Sequence, residues 1–566
     1  MSEGIVIWGN DLVVGGCVTR HSGVSVSTHP FTYQGAALKG LEHPAVTAFG
    51  ATTIIVLTLL APLVSPLHHE LYHFYGPPSA LIVPVLLNFA GVWIVLALLL
   101  AGGFRFRWLD VCLWGILGVF LPWMLMQDCF SLARGHMSRP ANTVFLALLF
   151  VAAALLLAMR SRALPLLRHG RQFATVMLGF AALNGALILA QILWSGWQSR
   201  RLDTPRPLHQ PLHQPLHQPP TASANHSRIL WIVLDELSYR QIYEHRYPGL
   251  KLPAFDRLAS GATVFTRTVP AGYWTDIVLP SLMTGQPLDK VGAPAAGLPL
   301  LVRNASTGAW QPFAPRQTVF QDALNAGYGT AVAGWWNPYC RILSEVLDQC
   351  FWASHSELRG GMYSSQSALS NTESPVLNVL KMMPWHSSPQ DSTYFHQLDY
   401  WELVAAGDKL LKDRSATFVL LHMPIPHMPG IYNRRTASFA TSNPNYLDNL
   451  ALCDEYLGHV RKELEDNGTW DSTTLVLMGD HSWRISRGAG LSPEERAATD
   501  GGQFDDRPAY IVKLAHQNTP ARIDTQFAAL RTRDLFDNLL TGRISTSRQL
   551  ASWAQQGEQQ RTPQGN

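Results

Sequence analysis

The chain has 566 residues, 47% of them hydrophobic and 15% charged, with a formal net charge of +3 at pH 7. That length exceeds one ordinary domain, and so small a charge gives no footing for a nucleic-acid partner. The six cysteines show no Cys-x-x-Cys pair or other zinc-finger spacing, which sets aside the common structural zinc modules.

Residues 1–44 are mixed and Gly-rich, without a basic-then-apolar start. They do not form a secretory signal and are expected to be a cytoplasmic segment. Five apolar runs follow: Ala45–Val64, Ala80–Ala101, Trp108–Met126, Asn142–Ala158 and Phe173–Trp194. Each is near the length that crosses a bilayer as a helix. Residues 45–195 are therefore expected to be a membrane domain of five transmembrane helices, rather than buried globular helices. The Leu67–Ser79 loop has no Lys or Arg, whereas the next gap carries Arg105 and Arg107, and the fourth carries Arg160, Arg162, Arg168 and Arg171. Basic loops stay in the cytoplasm. An inside amino terminus and an odd number of spans then put everything after Trp194 outside a cytoplasmic (inner) membrane. Arg134 and Arg139 in the Gln127–Pro140 loop depart from that pattern.

A linker is expected over 196–227. Pro207-Leu-His-Gln210 recurs as Pro211–Gln214 and Pro215–Gln218, and proline at every fourth position favours an extended spacer over a helix. His209, His213 and His217 read as solvated spacer residues, with metal capture the alternative.

From about 228 to 545 the pattern is α/β. Ile229–Leu234, Thr330–Ala333, Thr417–Leu421, Thr473–Met478 and Ala509–Leu514 read as strands. Ala254–Ser260, Phe320–Ala326, Tyr394–Leu411 and Leu447–Glu465 read as helices, the last with Leu450, Leu457 and Leu464 every seven residues. Such alternation implies a mostly parallel sheet covered on both faces, and sites in these folds form beyond the carboxyl ends of strands. Asp235, His422 with His427, and Asp480 with His481 are all expected just past strand ends. Cys340 and Cys350 are placed to close a short disulfide loop in an oxidising compartment, two free thiols being the alternative. Residues 546–566 are expected to be a polar tail, disordered from about Gln555.

These motifs, in this order, resemble the alkaline phosphatase/sulfatase superfamily from about Ile229 to Leu540. The likeness is greatest to its sulfatase-like branch, which includes lipoteichoic acid synthases and lipid A phosphoethanolamine transferases. The five-span anchor before an outward catalytic domain is similar to those transferases. The resemblance implies that Asp235, at the end of the first strand, is an acidic metal ligand, with Glu236 the neighbouring alternative. It implies that Asp480 and His481 are ligands too, although the family's following glycine is Ser482 here. Sulfatases carry a modified Cys or Ser ten residues before the glycine of a Leu-x-Thr-Gly-like end, and counting back from Gly285 reaches Thr275. The phosphoethanolamine transferases have a Thr five residues before a proline, and Thr275 stands so before Pro280. Thr275 is thus the implied nucleophile and a further metal ligand, at a helix start where free N–H groups attract anions. Read without the resemblance, it is a helix cap.

The arginine that sulfatases place four residues after the modified Cys is Leu279 here, which argues against classical sulfate-ester hydrolysis. In Leu421-His-Met-Pro-Ile-Pro-His-Met-Pro-Gly430, His427 is the implied proton donor and His422 the second choice. His516 is a loose candidate for a second metal. Trp335 and Trp336, in Gly334-Trp-Trp-Asn-Pro338, line the pocket or pack. One divalent ion is expected, manganese or zinc by ligand type, with magnesium or calcium possible.

The expected function is a membrane-anchored metal-dependent phosphotransferase or phosphodiesterase. It would move a phosphoethanolamine- or phosphoglycerol-type headgroup from a membrane lipid donor to a lipid or glycan acceptor. Two rivals remain: a hydrolase of phosphate or sulfate esters, and a non-catalytic membrane protein that binds a polyanionic glycan.

Overall fold

The computed structural model describes residues 43–57, 60, 79–132, 139–158, 160–199, 227–292, 300–354, 372, 389–440, 445–485 and 491–559. The amino-terminal segment, the Pro-Leu-His-Gln repeats with their three histidines, and residues 560–566 lie outside the described residues.

Among the described residues, five apolar helices come first: α1 (Pro44–Ile55), α2 (Ser79–Arg105), α3 (Arg107–Leu132), α4 (Arg139–Ala158) and α5 (Arg160–Ser199). Among the described residues, three of them are long and apolar enough to cross a membrane, over Ile82–Arg105, Arg107–Gln127 and Arg168–Trp194; α1 and α4 carry shorter apolar stretches. The expected basic loop at Arg160–Arg171 is instead the first three turns of α5, which runs through both Pro165 and Gly170. Apolar side chains such as Leu98, Phe104, Leu148 and Leu187 face outward, as lipid-facing residues do. The polar contacts run between helices: Trp123 Nε1 and Gln127 Nε2 both donate to Asn142 Oδ1, at 2.8 and 3.0 Å. Arg171 pairs with Asp110 at 2.7 Å.

The second part is an eight-stranded sheet. Its strands in chain order are β1 (Ile229–Leu234), β2 (Thr263–Phe265), β3 (Thr330–Trp335), β4 (Gln349–Ala353), β5 (Phe418–Met423), β6 (Thr474–Gly479), β7 (Tyr510–Lys513) and β8 (Ala521–Ile523). In space they run β8-β2-β7-β6-β1-β5-β3-β4. The stretch from β6 to β4 is wholly parallel, and β7 lies antiparallel to both its neighbours. Buried on both faces, β1 splits its side chains between two cores: Ile229, Trp231 and Val233 on one, Leu230, Ile232 and Leu234 on the other. That double burial is why the strand reads as an unbroken apolar run.

Helices cover both faces: α6 (Pro253–Ala259), α7 (Thr275–Thr284), α8 (Val319–Asn325), α9 (Pro389–Lys412), α10 (Tyr446–Asp466), α11 (Thr532–Leu540) and α12 (Ser547–Gln559). In α10, Leu450, Leu457 and Leu464 are all buried, and Asn445 with Asp448 forms a capping box. The tail expected from 546 is partly folded. Leu550 and Ala554 of α12 are buried on the sheet's core, and Arg531 donates to the carbonyls of Trp553 and Ala554. Its apolar positions 550, 553 and 554 follow helical spacing, a period that the glutamines around them obscure.

Candidate active site and metal centre

The parallel register pairs Leu234 with Gly479, so the next residues out, Asp235 and Asp480, emerge side by side on strands about 4.8 Å apart. Gly479 allows this approach, since a Cβ there would lie 2.6 Å from the Leu237 carbonyl oxygen. Glu236 then turns with φ of +67°, a conformation that a non-glycine residue keeps only when neighbours hold it. Here its N–H donates to Asp480 Oδ1 at 3.1 Å and its carbonyl accepts from the Tyr446 hydroxyl at 2.7 Å.

Thr275 is the first residue of α7, after the extended Trp274. Its hydroxyl does not cap the helix. Oγ1 lies 2.9 Å from Asp480 Oδ2 and 3.1 Å from Asp235 Oδ2. One hydroxyl hydrogen cannot satisfy two carboxylates, so three oxygens converge with too few protons between them. His481 closes the group. Its Nδ1–H donates to the Ser482 carbonyl at 3.0 Å, which leaves the Nε2 lone pair 3.3 Å from Asp480 Oδ2. Donor atoms of Asp235, Asp480 and His481 all lie within 4.8 Å of one another. All three residues are fully buried, yet Asp235 Oδ1 and His481 Nε2 make no hydrogen bond. Orphaned atoms of this kind need an explanation. Hard carboxylate oxygens, a hydroxyl and one imidazole nitrogen suit a divalent cation, and the outward hydrogen bond from Nδ1 fixes the ligating tautomer. The residues fit a metal.

Electrostatics agree. Burial pushes the Asp480 carboxyl up, and the charge of Asp235 adds to that push. Burial acts the same way on Asp235, but His427, His422 and His481 together outweigh it and hold that carboxyl well below its ordinary range.

Behind the cluster, His422 Nε2 lies 3.8 Å from Asp235 Oδ2, too long for a hydrogen bond, while its Nδ1 is bonded to the Tyr339 hydroxyl at 2.7 Å. Asn337 Nδ2 donates to the Thr275 carbonyl at 3.3 Å and to Tyr339 at 3.4 Å. Tyr339 reaches this place because β3 carries glycine opposite it: a Cβ on Gly334 would sit 2.2 Å from the Tyr339 ring. Cys340, the next residue, forms a disulfide with Cys350, the paired alternative of the two.

The expected residues thus divide. Asp235, Asp480, His481 and Thr275 converge. Glu236 stands outside the cluster, its Oε1 accepting from Arg484 Nε at 2.6 Å. His422 is not past its strand but within β5, fully buried. His427 is half-buried in the loop beyond, with its ring 5.3 Å from that of Trp335. Trp335 is a buried wall against His396, His422 and His427, with Nε1 donating to Asp399 at 3.0 Å. His516 does not belong to the site. Because β7 runs antiparallel to β6, the chain leaves Lys513 at the amino end of β6, where the Ala515 N–H meets Thr474. That is about 20 Å from Asp480 at ~3.3 Å per strand residue.

Four residues near the site were missed by sequence reasoning: Asn337, Tyr339, His396 and Arg484. His396 is fully buried, and burial pushes its imidazole down to about 3. Asn337 and Tyr339 follow the noted Trp pair, and Arg484 follows the Asp-His pair by three, so motif adjacency was the available signal.

Fold and cluster together define the class: an α/β domain with a buried cluster of metal-ligand type at the carboxyl ends of its parallel strands. More narrowly, the family model described as Sulfatase matches residues 227–521, more than half of the chain, and the chain belongs to the sulfatase family. No curated protein sequence matches it. Similar solved structures include Ps i-CgsB in complex with k-i-k-neocarrahexaose, at 19% identity over 58% of this chain and 74% of that one, TM-score 0.38. The phosphonate monoester hydrolase of Agrobacterium radiobacter is 12% identical over 56% and 74%, TM-score 0.32. The lipoteichoic acid synthase LtaP from Listeria monocytogenes is 12% identical over 56% and 72%, TM-score 0.33.

Proposed function

We propose that the protein is a membrane-anchored metalloenzyme that transfers a phospho-headgroup, of phosphoethanolamine or phosphoglycerol type, from a membrane lipid to an envelope lipid or glycan. The reaction passes through a phospho-threonine on Thr275. The observation that carries this reading is the Thr275 hydroxyl set between Asp235 and Asp480 beside His481. A fully buried Leu279 in place of the expected arginine weighs against sulfate-ester hydrolysis.

Asp235, Asp480, His481 and the Thr275 oxygen would hold one divalent cation, manganese or zinc by donor type. Its positive charge favours an ionised hydroxyl and offsets charge on the group attacked. Thr275 Oγ1 gives its proton to a carboxylate it already touches and forms a bond to phosphorus. The bond from phosphorus to the donor's alcohol oxygen breaks, and protonated His427 supplies that oxygen's proton. In the second half, neutral His427 takes a proton from the acceptor hydroxyl as its oxygen bonds to phosphorus. The Thr275–phosphorus bond breaks and Oγ1 recovers its proton. His427 is preferred to His422 because it is only half-buried and its Nδ1 has no hydrogen-bond partner among the described residues, whereas His422 is fully buried and tied to Tyr339. The test is incubation of metal-loaded protein with a phospholipid donor and no acceptor, followed by peptide mass spectrometry. A phosphorus-containing adduct on Thr275 is expected. An adduct on Ser281 or Thr284, or steady release of free headgroup acid, would overturn the transferase reading.

A further inference from the structure

Arg484 lies on the segment after β6, with its side chain only 12% exposed. It contacts the segment that leads into Thr275. Nε donates to Glu236 Oε1 at 2.6 Å, and Nη1 donates to the carbonyl of Tyr273, two residues before the nucleophile, at 3.1 Å. The guanidinium also sits 5.5 Å from the ring centre of Trp274. Trp274, Tyr273 and Phe504 are all large exposed aromatics, and the rings of Tyr273 and Phe504 lie 6.3 Å apart. Arg484 therefore stands between an open aromatic lip and the buried carboxylates.

Its bonding pattern is incomplete for a packing ion pair. An arginine that only neutralises a carboxylate tends to engage it through two parallel N–H bonds. Here Glu236 takes Nε alone. Nη1 is spent on a backbone carbonyl, and Nη2 has no hydrogen-bond partner among the described residues. The guanidinium is oriented but not saturated. Burial alone would push it down; instead Glu236, Asp235 and Asp480 together hold it above its ordinary value, so its charge is felt at the cluster.

We propose that Arg484 is a substrate-binding residue: through Nη2 it takes a non-bridging oxygen of the tetrahedral phospho group as that group meets Thr275. This deepens the proposed function and rests on it. Glu236, one residue past a ligand position, is the carboxylate that orients Arg484 rather than a ligand itself. The ligand class is an ester of phosphate with a free anionic oxygen, which a planar guanidinium binds better than a point charge does. α7 offers no cation to do this, since its fourth residue past Thr275 position is the buried Leu279.

The test measures binding of inorganic phosphate to full-length, manganese-loaded protein in detergent, by calorimetry, with metal content determined on the same samples. Wild type, Arg484→Gln and Arg484→Lys are compared. Expected is a loss of at least tenfold in phosphate affinity for Arg484→Gln at unchanged metal content, with Arg484→Lys between the two. If wild type binds no phosphate, the phosphoryl-transfer reading fails and the proposal falls with it. If wild type binds and Arg484→Gln binds equally well, the proposal alone is overturned. Loss of metal or of the folded state in both variants would make Arg484 a structural partner of Glu236 and would overturn it too.

Discussion

A threonine hydroxyl is almost wholly protonated near neutral pH, so its reactivity must come from its surroundings. Thr275 has them: two carboxylate oxygens at 2.9 and 3.1 Å and a histidine beside them. Thr275→Ala is expected to lower turnover about a thousandfold or more, as loss of a nucleophile does elsewhere, while metal stays bound through the other ligands. Thr275→Ser keeps the oxygen but frees the rotamer that the methyl restricts, and partial activity should survive. Near-normal turnover of the alanine variant would remove Thr275 from the chemistry. The ligands can be told from their neighbour in the same way. Asp235→Asn, Asp480→Asn and His481→Ala should each weaken metal binding at least about 100-fold, more than the loss typical of an outer partner. Glu236→Gln should leave metal content as in wild type; a chain stripped of metal by that change would restore Glu236 as a ligand. At this scale the motifs led to residues that converge in space, as with Thr275 and Asp480. The sequence was not readable for Glu236, because adjacent carboxylates look alike until backbone geometry turns one away.

Elements decide what single residues cannot. The segment from Gly334 to Cys350 leaves β3, brings Asn337 and Tyr339 against the start of α7, and is fastened to β4 by the Cys340–Cys350 bond. A Cβ at position 334 would meet the Tyr339 ring at 2.2 Å. Gly334→Ala must therefore displace Tyr339 or bend β3, at about 1–3 kcal/mol, the usual cost of overpacking. We expect a lower thermal midpoint together with reduced activity, since Tyr339 holds His422 behind Asp235. Unchanged stability would mean that the ring moves freely. The parallel strands were legible because burial on both faces leaves an unbroken apolar run, and β1 begins and ends where its run does. Strand direction was not. Nothing in Tyr510–Lys513 distinguishes an antiparallel neighbour, and that direction alone carries His516 away from the site.

At the scale of the whole molecule, the proposed orientation rests on which helix ends meet the α/β domain. One apolar core continues from the sheet into Val56, Leu60, Val85, Phe89 and Ile192. Asn88, near the start of α2, donates to the Thr372 carbonyl at 3.1 Å. These residues lie at the end of α1, the beginning of α2 and the end of α5. If all five helices cross and the amino terminus is cytoplasmic, those three ends share the outer side. The Arg171–Asp110 pair and Arg105 then fall together on the inner side, as the preference of basic residues for the cytoplasm requires. The Cys340–Cys350 disulfide is in keeping with an oxidising compartment for the catalytic domain. A reporter fused after Arg201 should therefore be active only when it works outside the cytoplasm. One fused near Leu164, in the basic first turns of α5, should be active only inside. Only three helices have the full length of a span among the described residues, so α1 and α4 are the ones at risk. If either lies flat at the interface, the number of crossings becomes even. The Arg201 fusion would then report the cytoplasm, the disulfide would lose its compartment, and a lipid donor from the outer face would no longer reach Thr275.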